Sequence, residues 1–338
     1  MMDLSLDLSL VWAIIILFGI MMYIIMDGFD LGIGILYPFF QEKHDRDLMM
    51  NTVAPVWDGN ETWLVLGGAG LLAAFPLAYS VILSALSLPL LFMLMALIFR
   101  RVAFEFRFRA TDEERHFWDK AFLCGSIAAT FFQGMTLGAY LQGIKVVNEA
   151  YAGGPLDWIS PFSIFTGLSL LVTYALLGCT WLIMKTSGDL QKTCYTLSRQ
   201  ISVFLFATIV IISIWTPLMD HGIADRWFTM PNLLFLSPVP LLVVFVFYRL
   251  QKSLKDKSET APFIYTLCLI LLGYMGLGIS IWPNIIPPHI SIHAAASPSQ
   301  SQMFALVGAV IIIPIILIYT GWAYYVFRGK VNPDDAYH

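Results

Sequence analysis

The chain is 338 residues long, 58% hydrophobic and 12% charged, with a formal net charge of −4. Soluble domains carry about 25% charged residues, so this much apolar surface excludes a water-soluble protein. No basic run interleaved with aromatics is present, which argues against nucleic-acid binding, and the four cysteines lie apart without metal-ligand or CxxC spacing.

In chain order, runs of about 17–25 apolar residues fall at 10–36, 56–75, 77–99, 117–141, 161–184, 200–218, 232–248, 262–282 and 303–327. The first lacks the basic start of a cleaved signal and continues too far, so it is expected to be a membrane span. A short turn at Ala74, Phe75 and Pro76 separates the second from the third, and Pro238 and Pro240 interrupt the seventh. Nine spans with the N-terminus outside put 17 of the 19 basic residues in inner loops and leave Lys145 and Arg226 outside. Short loops obey such a positive-inside bias. The expected fold is therefore all-α and integral to the membrane: nine transmembrane helices, N-out and C-in.

Charged residues inside spans are costly, at least about 2.5–3.5 kcal/mol each on insertion scales, so each one asks for a reason. The first run ends in Met26-Asp27-Gly28-Phe29-Asp30-Leu31-Gly32, with Asp27 and Asp30 three apart on one helix face. Gly28 and Gly32 form a small-xxx-small pair that admits a close helix neighbour. The second run opens with Trp57-Asp58-Gly59-Asn60-Glu61-Thr62-Trp63, where Asp58 and Glu61 repeat the spacing. The topology brings both acidic pairs to the cytoplasmic face. Three readings stay open for them: carboxyls solvated among headgroups or complementing a helix dipole, a proton path, or a cation site.

The six histidines, His44, His116, His221, His289, His293 and His338, all fall outside the middle of the spans. Transmembrane haem needs axial His or Met from a helix interior, and methionine in such helices is ordinarily packing. The chain by itself is expected to bind no haem and no metal. The tryptophans and tyrosines cluster near span ends as an aromatic belt. The Pro- and Ser-rich stretch 282–302 reads as an outer loop.

Four strings taken together, Asp27-Gly28-Phe29-Asp30-Leu31-Gly32, Trp57-Asp58-Gly59-Asn60-Glu61-Thr62-Trp63-Leu64, Val102-Ala103-Phe104-Glu105-Phe106-Arg107 and Tyr319-Thr320-Gly321-Trp322, resemble subunit II of the cytochrome bd-type ubiquinol oxidases, especially the cyanide-insensitive branch. The resemblance implies two four-helix bundles plus a peripheral helix. Here these are 8–141 with the acidic cluster, 161–283, and 302–328. It implies pairing with subunit I across a pseudo-twofold in the bacterial inner membrane. Subunit I would carry two b-type haems and one d-type haem, and the complex would oxidise ubiquinol and reduce dioxygen to water. Subunit II would support haem assembly and offer a proton or oxygen path. Some members bind a quinone, and a small single-helix accessory subunit and membrane lipids are further partners the resemblance allows. On that reading Asp58 and Asp27 accept and relay protons, Asp30 and Glu61 assist, and Trp57, Asn60, Trp63 and Glu105 give polar support near the path. Two rivals belong to other classes. One is an ion-coupled transporter, against which the second half offers no matching acidic pair. The other is a purely structural assembly subunit.

Overall fold

The computed structural model describes residues 7–331. The fold begins with α1 (Leu8–Leu36), whose first turn is capped by the Asp7 carboxylate accepting from the Leu10 amide at 3.2 Å. A single 3-10 turn leads to α2 (Lys43–Asn51), then α3 (Trp57–Asn60), α4 (Thr62–Ala74), α5 (Pro76–Ala85), α6 (Ser87–Arg109) and α7 (Asp112–Leu141). A two-stranded hairpin follows, β1 (Val146–Val147) with β2 (Ala150–Tyr151), turning through Asn148 and Glu149 at positive φ. Next come α8 (Pro161–Lys185), α9 (Gly188–Met219), α10 (His221–Phe228), α11 (Asn232–Leu236), α12 (Pro238–Lys255) and α13 (Ala261–Ile281). A second hairpin of β3 (Asn284–Ile286) and β4 (Ile290–Ser291) precedes the last helix, α14 (Ser299–Val326).

Eight helical segments among the described residues are long and apolar enough to cross a membrane: Leu8–Phe39, Ser87–Arg109, Glu113–Leu141, Pro161–Lys185, Gly188–Met219, Asn232–Lys255, Ala261–Ile281 and Ser299–Val326. α7 and α9 begin earlier than the expected runs, at Asp112 and Gly188, and two further differences divide the expected spans themselves. The run at 56–75 is split at Glu61, so α4 alone has 13 residues, about 20 Å of helix against a hydrocarbon core of about 30 Å. The third span is not 77–99. Residues 76–85 form the separate helix α5, and the spanning helix α6 restarts at Ser87 and runs ten residues past Phe99. Pro89 explains the restart: a proline has no amide to donate and fits only the first turn of a helix. Hydropathy is uniform across this stretch and does not register the break. At the seventh run the proline signal holds, with α11 and α12 parting at Ser237 before Pro238.

α8 is the structural centre, packed by α1, α7, α9 and α13. Its approach to α1 is close enough to require glycine. A Cβ on Gly32 would fall on the Tyr174 carbonyl, and one on Gly178 would lie 2.7 Å from the Gly32 backbone. Gly28 meets the Tyr174 ring in the same seam. The paired positions ascend together, so α1 and α8 run parallel. α4 and α7 run opposite to them, since Gly67 and Gly70 face Ile20 and Ile16, and Gly134 and Gly138 face Gly167 and Ser163. The C-terminal ends of α1, α6 and α8 and the starts of α3, α7 and α9 therefore share one end of the molecule, which also carries most of the arginines. At the opposite end α5 packs against β2 and β3, and Ser297 bonds the Ala73 and Ala74 carbonyls.

Candidate functional site

At the arginine-rich end, α1, α3, α6 and α14 converge on a cluster of carboxyls. Asp27 and Asp30 are fully buried, and Arg100 of α6 is buried beside them. The Arg100 guanidinium reaches Asp27 Oδ1 at 2.9 Å and Glu61 Oε1 at 2.6 Å from the same Nη2. Asp30 has no cation against it among the described residues. Its Oδ2 accepts from the Asn60 amide at 2.8 Å, and Asn60 also donates to the Met26 carbonyl at 3.1 Å. The Tyr324 hydroxyl of α14 donates to Asn60 Oδ1 at 3.0 Å, which fixes the amide with its nitrogen toward Asp30. Further out, Arg101 pairs with Asp58 and, at 3.3 Å, with Glu61 Oε2, and it lies over the Trp57 ring at 5.1 Å.

The helix breaks at Glu61 instead of continuing through it, so Asp58 and Glu61 do not share a continuous helix face. Asp58 is 74% exposed and Glu61 only 19%, and Arg101 bridges them. The result is a file of carboxyls from surface to interior: Asp58, Glu61, then Asp27 and Asp30. Four carboxyls face two guanidiniums, so the cluster holds two more acids than cations. Asp27 Oδ2, Asp30 Oδ1, Tyr23 Oη and Arg100 Nε are buried without a hydrogen-bond partner among the described residues. Buried polar atoms of this kind are usually satisfied by partners or ordered water.

The remaining predicted positions sort plainly. Trp57 packs against Phe104 with the rings tilted by 35° and their centroids 4.6 Å apart. Trp63 is buried against Tyr23 and Met26, edge-on to Phe18. Glu105 is exposed on α6, and among the described residues nothing joins it to the cluster. Sequence reasoning misses Arg100, Arg101 and Tyr324. It ends the third span at residue 99 and so assigns both arginines to a loop. A usable signal was present: Arg100, Ala103, Phe104 and Arg107 recur at i, i+3, i+4 and i+7, one face of a helix. Tyr324 carries no comparable mark.

Arg107, two turns further along α6, anchors a second buried network. It holds Asp119 at 2.5 Å and Asp47 at 2.7 Å. Arg46 takes the other Asp119 oxygen at 2.8 Å, and Arg115 reaches Asp47 at 3.3 Å. The five described histidines, His44, His116, His221, His289 and His293, are all exposed, so none occupies an axial position inside a bundle; His338 lies outside the described residues. No group of three or more His, Cys, Asp or Glu side chains placed to hold a metal ion occurs among the described residues.

A family model described as cytochrome bd terminal oxidase subunit II matches residues 8–327. The cytochrome bd-I ubiquinol oxidase subunit 2 of Escherichia coli (strain K12) is 26% identical over 365 residues, covering 97% of this chain and 96% of that one. The cytochrome bd ubiquinol oxidase subunit 2 of Bacillus subtilis (strain 168) is 25% identical, with 96% and 97% covered. In three dimensions the chain matches one chain of the bd oxidase from Geobacillus thermodenitrificans with a TM-score of 0.80 and 16% identity, covering 95% of this chain and 99% of the other, a likeness of fold. With the family model spanning nearly its whole length, the chain belongs to the cytochrome bd terminal oxidase subunit II family, and is a multi-pass protein of the bacterial inner membrane.

Proposed function

We propose that this chain is the haem-free subunit of a ubiquinol-oxidising, dioxygen-reducing complex, and that its carboxyl file carries protons inward from the cytoplasm. It pairs with a subunit I that holds the haems and the quinol chemistry, and it has no catalytic residue of its own. The observation that carries the proton reading is the charge imbalance: four carboxyls, two of them fully buried, around two arginines. An ionised carboxyl buried without a cation is costly, so a proton shared within the group is the economical way to hold it. Asp58 is the entry, since it is the exposed member. Glu61 passes the proton behind Arg101, and Asp27 and Asp30 receive it in the interior. Trp57, Asn60 and Trp63 shape the path and Glu105 sits at its rim.

The topology that supports this reading is nine crossings, N-out and C-in, with α3 and α4 crossing together as one interrupted span of about 27 Å. The two four-helix bundles, 8–141 and 161–283, and the peripheral helix 302–328 that the family resemblance implies belong to the same proposal. A quinone, lipids and a small accessory subunit remain candidate partners. Support for a haem-free chain comes from the exposed positions of the five described histidines. A lone chain purified without subunit I should therefore show no haem absorbance; stoichiometric haem in it would sink this part.

One observation favours a second reading, a purely structural role. Arg100 ties α1, α6 and the α3–α4 junction together, as an assembly clamp would. Asp58→Asn separates the two. Asparagine keeps the shape and most hydrogen bonding but carries no proton. We expect unchanged haem content and severalfold slower quinol-driven oxygen consumption per haem d, most marked at high pH where protons are scarce. Unchanged turnover per haem across the pH range would leave only the clamp.

A further inference from the structure

We infer that the crevice between α9 and α12 at the arginine-rich end binds an anionic phospholipid. The phosphodiester sits among Arg199, Lys255 and Lys257, and an acyl chain runs along Val203 and Phe204. No step of the proton reading depends on it.

The crevice has a volume of about 1100 Å³, above the roughly 300–1,000 Å³ of common small-molecule sites. It has room for a headgroup and the start of a chain. Its position follows from the helix lengths. α9 has 32 residues, about 48 Å, against a hydrocarbon core of about 30 Å. The excess lies at its start: 188–200 is polar, and 201–219 is an almost unbroken apolar run. Arg199 therefore stands at the boundary between headgroups and hydrocarbon. α12 mirrors this, apolar from Pro238 to Tyr248 and then polar from Arg249 to Lys255. The crevice straddles that boundary, with cations on the water side and Val203 and Phe204, 53% and 64% exposed, on the lipid side.

The walls are built rather than incidental. The Gln251 amide donates to Ser202 Oγ at 2.9 Å and joins the two helices across the floor. The Tyr195 hydroxyl, at 3.0 Å from the Lys257 and Ser258 carbonyls, pins the loop that presents Lys257.

Charge decides the ligand class. Lys192 is already paired with Asp189 at 2.7 Å. Glu259 is paired with Lys330, and that ammonium together with the Gln191 amide holds its carboxyl below the usual range. The carboxylate that lines the crevice, Glu259, is thus taken, as is Asp189 beside it. Arg199, Lys255 and Lys257 have no carboxylate partner among the described residues, and Asp256 does not line the crevice. Three cations over an apolar wall call for a ligand with an anionic head and a hydrocarbon tail. Basic pockets between spanning helices at the cytoplasmic face recognise such headgroups, at about 1 kcal/mol per basic residue.

The test uses the purified two-subunit complex in detergent, titrated with phosphatidylglycerol or phosphatidylcholine and read by native mass spectrometry. We expect at least one phosphatidylglycerol retained in preference to phosphatidylcholine. The triple variant Arg199→Gln, Lys255→Gln, Lys257→Gln should bind it on the order of a hundredfold more weakly. Haem content and oxygen reduction serve as the check that the variant is folded. A second variant, Phe204→Ser with Val203→Ser, should weaken phosphatidylglycerol but leave glycerol phosphate unaffected. Equal retention of both lipids in the wild type, or undiminished phosphatidylglycerol binding in a folded triple variant, would overturn the proposal. Full displacement of the lipid by millimolar glycerol phosphate or inorganic phosphate would also overturn it, by showing a site for a free anion.

Discussion

Two ion networks stand on one face of α6, seven residues apart, and they are opposite in kind. Around Arg107, three arginines meet two aspartates, and every oxygen of Asp47 and Asp119 has a guanidinium against it. Around Arg100, two arginines meet four carboxyls, and one oxygen each of Asp27 and Asp30 has no partner. With every carboxylate oxygen paired, this network locks α2, α6 and α7 together, and what it leaves without a hydrogen-bond partner among the described residues lies on the guanidinium side, Arg107 Nη2 and Arg115 Nε. An acid-rich one has vacant lone pairs and shared charge, which is what loading and unloading a proton demands. On the proposed reading the same helix supplies a rivet and a relay.

The largest effect is expected at Arg107. Arg107→Leu leaves Asp119 and Asp47 with a lost partner in a buried setting. Removing one member of such a pair costs about 3–5 kcal/mol, so the complex should fail to accumulate, read as haem d per milligram of membrane protein. Normal yield would mean Arg46 and Arg115 suffice. A middle-sized effect is expected at Asp30. Asp30→Asn should leave yield near normal, because no cation is orphaned, and slow oxygen reduction per haem severalfold. If yield falls with turnover intact, the two networks are both rivets. The smallest effect belongs to Tyr324→Phe, which removes the hydrogen bond that orients Asn60. A net loss of about 0.5–1.5 kcal/mol should appear as a slight drop in thermal midpoint, with a partial fall in turnover per haem. No change in either would show that Asn60 holds Asp30 unaided.

How far the sequence foretold this depends on which residues one follows. α1, α8 and α13 are legible because each is one apolar run with a polar or proline boundary. The third span is not, because 77–99 is apolar throughout and the break at Leu86 is set by Pro89 and by packing of α5 on the hairpins. Asp27, Asp30, Asn60 and Glu61 are visible as polar residues in apolar surroundings, and insertion energetics alone flags them. That Asp58 turns to water while Glu61 turns inward follows from the helix break, which spacing does not announce. Arg100 is legible as part of the helix face it shares with Ala103, Phe104 and Arg107, but its pairing with Glu61, 39 positions away, is not. Tyr324 matters only through Asn60, 264 positions away, and one sequence carries no record of such pairings.

The length of one hydrogen bond along the chain has a consequence for biosynthesis. Tyr324 lies 264 residues after Asn60. At about 5–20 residues per second, roughly 13 to 50 s of translation separate the two partners. Early in that interval α1, α3 and α6, with the acids and arginines of the cluster, are already made, while the hydroxyl that sets the Asn60 amide does not yet exist. The acidic cluster reaches its final arrangement only when the last helix docks, so a ribosome that stops early leaves a chain with the carboxyls in place and the orienting contact missing.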